Sequence, residues 1–114
     1  MNPQVLYVLH NGNLYTVDLE SGEYVKFSTG WDTSTLMTES EEQLFIIHNG
    51  NLYSVNKSNA EYNKLSSGWS NTKQMVYKAG NLFMIDGGSI YKVNPADGEY
   101  AKLSNGWDGS SSMC

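Results

Sequence analysis

The sequence predicts an all-β chain built from three tandem copies of one 38-residue unit. Three observations carry that prediction. The pair Gly-Trp recurs at Gly30-Trp31, Gly68-Trp69 and Gly106-Trp107. A turn signal recurs at Asn11-Gly12, Asn49-Gly50 and Gly87-Gly88. An apolar run precedes each turn: Leu6-Tyr7-Val8-Leu9, Leu44-Phe45-Ile46-Ile47 and Leu82-Phe83-Met84-Ile85. Every feature advances by 38 residues, as do Glu23-Tyr24, Glu61-Tyr62 and Glu99-Tyr100, and three periods fill the 114 residues. A fixed period of this length marks an array of supersecondary units. The copies run approximately 1–38, 39–76 and 77–114, as one repeat domain without a linker.

The second copy shows the elements in order. Leu44 to His48 is the first strand. Asn49-Gly50 follows as a two-residue hairpin turn, because both residues tolerate the positive φ that such turns need. Asn51 to Asn56 is the second strand, and a turn spans Lys57 to Ala60. Glu61 to Ser66 is the third strand, and a fourth centres on Gln74-Met75-Val76-Tyr77. Helix signals are nearly absent; the best stretch, Thr38 to Gln43, is too short to stand as a helix.

Two architectures use such a unit: a β-propeller blade of four antiparallel strands and a β-trefoil lobe. The apolar runs decide for the blade. A strand that is apolar on both faces is covered on both, and blades lie between neighbouring blades. A trefoil monomer is the alternative. Propellers typically close with about four to eight blades, so three predict a homodimer completing a six-bladed ring. No fourth-strand equivalent precedes residues 5–10, and residues 108–114 align with the run leading into the next copy. The expectation is that residues 108–114 of one chain pair beside residues 5–10 of its partner.

Composition narrows the function classes. Twelve acidic residues stand against seven basic ones, every one of them Lys, for a net charge of −5. Nucleic-acid phosphates and anionic membranes call for clustered positive charge, so neither is an expected partner. No apolar run approaches the ~18 residues of a membrane-spanning helix, so no membrane insertion is expected. The Met1-Asn2-Pro3-Gln4 start lacks the features of a signal peptide, and a cytoplasmic location is the default expectation. The lone Cys114 excludes an internal disulfide and is read as a free thiol.

No nucleophile stands beside a base and no phosphate loop is present, so no enzyme activity and no cofactor are expected. His10, His48 and Asp86 share one repeat position beside the turns. They are read as polar turn residues rather than metal ligands. Glu23, Glu61 and Glu99 recur in all copies and are expected to be offset by Lys26, Lys64 and Lys102.

The candidate ligand-binding residues are Trp31-Asp32, Trp69-Ser70-Asn71 and Trp107-Asp108. An indole face stacks on the C–H face of a sugar, and the neighbouring carboxylate, hydroxyl or amide takes the sugar hydroxyls. The reading is a non-enzymatic, multivalent carbohydrate-binding module with one site per repeat, in which Trp69→Ala weakens glycan binding without unfolding. The alternatives are a protein-interaction propeller scaffold and a fragment of a longer propeller.

Gly-Trp-Asp, an apolar strand, Asn-Gly and Leu-Tyr-x-Val together resemble the repeats of tachylectin-type propeller lectins. That resemblance covers the whole chain, although the unit is shorter than in that family. It implies a toroidal binding protein with a glycan site in each blade or blade junction.

Overall fold

Eleven strands form three antiparallel sheets in the computed structural model, which describes residues 5–32, 34–107 and 109, without the side chains of Ser34 and Thr35. No helix occurs among the described residues. The first sheet holds β1 (Val5–His10), β2 (Asn13–Asp18) and β3 (Tyr24–Thr29) in that order. The second holds β4 (Ser34–Glu39), β5 (Gln43–His48), β6 (Asn51–Asn56) and β7 (Tyr62–Ser67). The third holds β8 (Thr72–Lys78), β9 (Asn81–Asp86), β10 (Ser89–Val93) and β11 (Tyr100–Asn105). Thr38 to Gln43 is the end of β4, a turn and the start of β5, not a helix.

Every strand pairs with its neighbour in sequence. The hairpins follow from turn chemistry. Asn11 and Gly12 have φ of 50° and 80°, Asn49 and Gly50 of 51° and 74°, and Gly87 and Gly88 of 58° and 81°. Two positive φ values in succession give a turn whose twist matches the flanking strands. The same geometry recurs between β8 and β9 at Ala79-Gly80, with φ of 52° and 83°. Each sheet also carries a bulge at one repeat position, between Leu14 and Tyr15, Leu52 and Tyr53, or Ile90 and Tyr91. Phe27, Leu65 and Leu103 are the extra residues that it leaves unpaired.

The chain divides into two compact units, Met1–Ser34 and Thr35–Cys114. In the first, Leu14 and Trp31 are buried, and Tyr7 meets Phe27 edge-on at 5.9 Å. β1 is an edge strand of a three-stranded sheet. The expected partner strand, residues 108–114, lies outside the described residues except for 109.

In the second unit, the second and third sheets share one core. Phe45, Ile47, Leu52, Trp69, Leu82, Met84 and Val93 form its buried cluster, with Leu65 and Tyr91 packed against it. The Phe45 and Tyr77 rings stack across the two sheets, 6.0 Å apart and 9° from parallel. All four apolar residues of the β5 run are buried. Three of four are buried in β9 and none in β1, where Leu6 is exposed. One sequence pattern thus has three burial outcomes.

The turn after β2, β6 and β10 is built by an Asx side chain in each sheet. The backbone N–H groups of Glu20 and Ser21 donate to Asp18 Oδ1, that of Ser58 to Asn56 Oδ1 and that of Ala96 to Asn94 Oδ1. The residue closing the turn is left-handed in all three copies: Gly22 (φ 75°), Ala60 (φ 64°) and Gly98 (φ 78°). Ala60 therefore bears a Cβ strain that its counterparts avoid. Left-handed backbone costs a non-glycine residue about 1–2 kcal/mol, partly offset by the entropy that glycine adds to the unfolded chain. Ala60→Gly is expected to raise stability by about 0.5–1 kcal/mol, seen as a melting temperature higher by a few degrees. An unchanged or lower melting temperature would show that Ala60 is unstrained.

Candidate functional site

The three Gly-Trp segments have one local construction. The Trp backbone N–H donates to the carbonyl of the hairpin glycine in the same sheet: Trp31 to Gly12 (2.9 Å), Trp69 to Gly50 (2.8 Å) and Trp107 to Gly88 (2.8 Å). The indole Nε1–H donates to the serine hydroxyl three residues earlier: Ser28 at 2.7 Å, Ser66 at 2.9 Å and Ser104 at 2.8 Å. A Cβ added to Gly12 would overlap the Asp32 carboxylate, and one on Gly50 the Ser70 hydroxyl. The segment is a latch that ties the end of β3, β7 or β11 to the turn after β1, β5 or β9.

The same construction leaves the tryptophans with different exposure. Trp31 and Trp69 are buried. Trp69 lies edge-on to Tyr91 and Tyr100, with ring centroids 5.6 and 5.2 Å away. Its indole is part of the core, so Trp69→Ala is expected to destabilise the fold. Trp107 is 43% exposed. Asp32, Ser70 and Asn71 are exposed, and Asp108 lies outside the described residues. Each segment follows the last strand of its own sheet.

A different feature of the second unit has the shape of a binding site. A cleft of about 630 Å³ opens between the second and third sheets. Its floor is the stacked Phe45–Tyr77 pair with Leu65. Its rim carries Glu42, Gln43 and Asn63, and Pro95-Ala96 of the β10–β11 turn closes one end. Lys57 holds the acidic rim loop in place. Its ammonium donates to Glu39 Oε1 and to the Ser40 carbonyl, both at 2.7 Å, and its backbone N–H donates to the Glu42 carbonyl at 3.1 Å. An aromatic floor with amide and carboxylate groups around it can take a ligand having an apolar face and several hydroxyls.

Sequence reasoning missed this cleft because its rim residues Glu42, Gln43 and Asn63 do not repeat. Where the second copy has Glu41-Glu42, the third has Ala79-Gly80. The available signal was that departure from the repeat: an acidic three-residue connection in place of a tight turn.

The remaining polar groups have structural surroundings. His10 Nε2 lies 3.1 Å from the Asn11 side-chain amide nitrogen and His48 Nε2 lies 3.3 Å from that of Asn49. Each His ring also sits edge-on to a tyrosine, Tyr15 or Tyr53. In the third copy Asp86 accepts a hydrogen bond from Thr72 Oγ1 at 2.6 Å. Among the described residues no group of three His, Cys, Asp or Glu side chains is placed to hold a metal ion. The Asp18 carboxyl is held below its ordinary value, mainly by the Ser21 backbone N–H and then by that of Glu20.

No family model matches the chain, and no curated protein matches it. Solved structures do. A chain of an S. cerevisiae assembly containing Dbp5, Nup159, Gle1, IP6 and ADP matches over 90% of this chain, with 15% identity and a TM-score of 0.61. PorZ, a surface component of the type-IX secretion system of Porphyromonas gingivalis, matches over 91% with 15% identity and a TM-score of 0.69. The extracellular domain of BT4673 from B. thetaiotaomicron matches over 91% with 11% identity and a TM-score of 0.67. This chain spans 28%, 15% and 16% of those three chains. At such identities the likeness is one of fold alone. None of the three is a tachylectin-type lectin.

Proposed function

We propose that the chain is a non-enzymatic binding module of propeller-type blades that takes carbohydrate in the cleft between its second and third sheets. The observation that carries the reading is the pairing, in one cleft, of the Tyr77 and Phe45 rings with the Gln43, Asn63 and Glu42 side chains. A pyranose offers a C–H face to a ring and hydroxyls to amides and carboxylates. The blade reading is supported by strands that pair only in sequence order and by the burial of all four apolar residues of the β5 run. The likeness to parts of longer chains also suits an array of repeats.

In this reading the latch tryptophans shape the sheets, and the sugar contacts come from non-repeating rim residues. Binding at one cleft is weak, and two or more clefts on one assembly raise the avidity by effective concentration. A second reading, a scaffold for protein partners, has its own support. Tyr24, Tyr62 and Tyr100 are 71%, 61% and 58% exposed at one repeat position, and exposed tyrosines among small polar residues make adaptable contacts.

A glycan array followed by calorimetric titration of the retained glycan tests the first reading. Asn63→Ala removes an exposed side chain and is expected to raise Kd about tenfold, the loss of roughly one good hydrogen bond. A blank array at millimolar glycan, or a Kd unmoved by Asn63→Ala and Glu42→Gln alike, would remove the cleft from consideration.

A further inference from the structure

The second and third sheets show how one repeat covers the next. The covering side supplies Trp69, which lies against Tyr91 and Tyr100 and shares a buried cluster with Met84 and Val93. It also supplies Leu65, whose backbone is met by the Gly98 turn, so closely that a Cβ on Gly98 would stand 2.6 Å from the Leu65 carbonyl oxygen.

One period later the covering pair becomes Leu103 and Trp107, which are 54% and 43% exposed. Two periods earlier the receiving set becomes Val8, Val17, Tyr15, Tyr24 and Gly22. The first four line an open cavity of about 480 Å³. Tyr15 and Tyr24 already hold the ring geometry of the occupied site: centroids 5.8 Å apart at 79°, against 5.7 Å and 79° for Tyr91 and Tyr100. Nothing lies within 4 Å of where a Gly22 Cβ would be. One surface thus lacks the tryptophan that its repeat position receives, and the other carries a tryptophan without the tyrosines that its repeat position meets.

We propose that these surfaces are the two halves of one interface, in which Trp107 of one chain seats in the Tyr15–Tyr24 cavity of a second copy and Leu103 receives that copy's Gly22 turn. The occupant is specified by the repeat itself, because Trp69 already makes the same contact within the chain. The two surfaces differ, so the contact is head-to-tail, and two reciprocal contacts close a pair. Three sheets from each chain then make six. Trp and Tyr in a fitted pocket are the residue types that dominate such interfaces. The inference stands apart from the carbohydrate reading, which rests on the cleft of the second unit.

Light scattering after size exclusion, over a dilution series, tests it. Wild type is expected at the mass of two 12.7-kDa chains. Trp107→Ala and Tyr24→Ala are each expected to weaken the pair by at least about 30-fold per contact, the loss of one interface hot spot. Both alter exposed side chains, so an unchanged far-UV circular dichroism spectrum should accompany the dissociation. An equimolar mixture of the two variants should recover pairing, because both losses then fall on the same contact and the other is intact. A monomeric wild type overturns the interface and leaves the carbohydrate reading to its own titration. A pair that ignores Trp107→Ala overturns the seat, and a mass that keeps growing with concentration overturns the closed pair.

Discussion

Trp69→Ala is expected to lower the free energy of unfolding by about 3–5 kcal/mol, the range for emptying a large aromatic site in a core. Small domains have only about 5–15 kcal/mol in total, so this variant should unfold at much lower urea concentration or fail to accumulate. The magnitude follows from position. The indole is 3% exposed, lies against Tyr91 and Tyr100, and donates its N–H to Ser66. Truncation opens a cavity between two sheets and strands the Tyr91 and Tyr100 edges. Urea titration followed by far-UV circular dichroism reads the loss. Trp107→Ala, on the dissociated protomer, supplies the comparison: it removes the same chemical group from a half-exposed site and should cost less than half as much. Equal losses at the two positions would mean that the core does not pass through Trp69.

Gly98→Ala should be almost as severe, for a different reason. A Cβ there would stand 2.6 Å from the Leu65 carbonyl oxygen and 2.7 Å from its carbon, and both are backbone atoms without a rotamer to escape into. The residue also has a φ of 78°. Overpacking contributes about 1–3 kcal/mol and left-handed strain about 1–2 kcal/mol, so a loss of about 2–5 kcal/mol is expected. Gly22→Ala separates the two effects. Its φ is 75° and nothing lies within 4 Å of its Cβ position. Measured on the monomeric Trp107→Ala background, Gly22→Ala should show the backbone strain alone. If Gly98→Ala costs no more than Gly22→Ala, the turn does not press on β7.

Much of the fold is legible in the sequence. The period, the hairpins and the strand boundaries of the second copy follow from Asn-Gly turns and apolar runs, because turn chemistry and strand patterning act over a few residues. What the repeat conceals is the difference between copies. Leu6 and Leu44 occupy one repeat position, yet one is exposed and the other buried. Trp69 and Trp107 differ in the same way. Burial depends on which sheet lies next, and a periodic sequence is silent about its own ends. The candidate cleft was illegible for the opposite reason. Gln43, Asn63 and Tyr77 lie far apart in sequence and belong to no shared motif, and only the packing of two sheets brings them together. The tryptophans repeat because each latches its own sheet, Trp69 to Gly50 as Trp31 to Gly12.

The strictly sequential strand order also bears on how the molecule is made. Among the described residues no strand waits for a distant partner, so each sheet can form from hairpins whose ends are joined by short turns. Closing short loops loses little entropy, and chains rich in local contacts fold faster than β proteins with long-range pairing. Stacking of completed sheets is then the later event, and Trp69 and Gly98 act in that step. Their variants should accelerate unfolding far more than they slow folding. On a ribosome, the first sheet can be complete before residue 40 has emerged, its Tyr15–Tyr24 face exposed while the later sheets form.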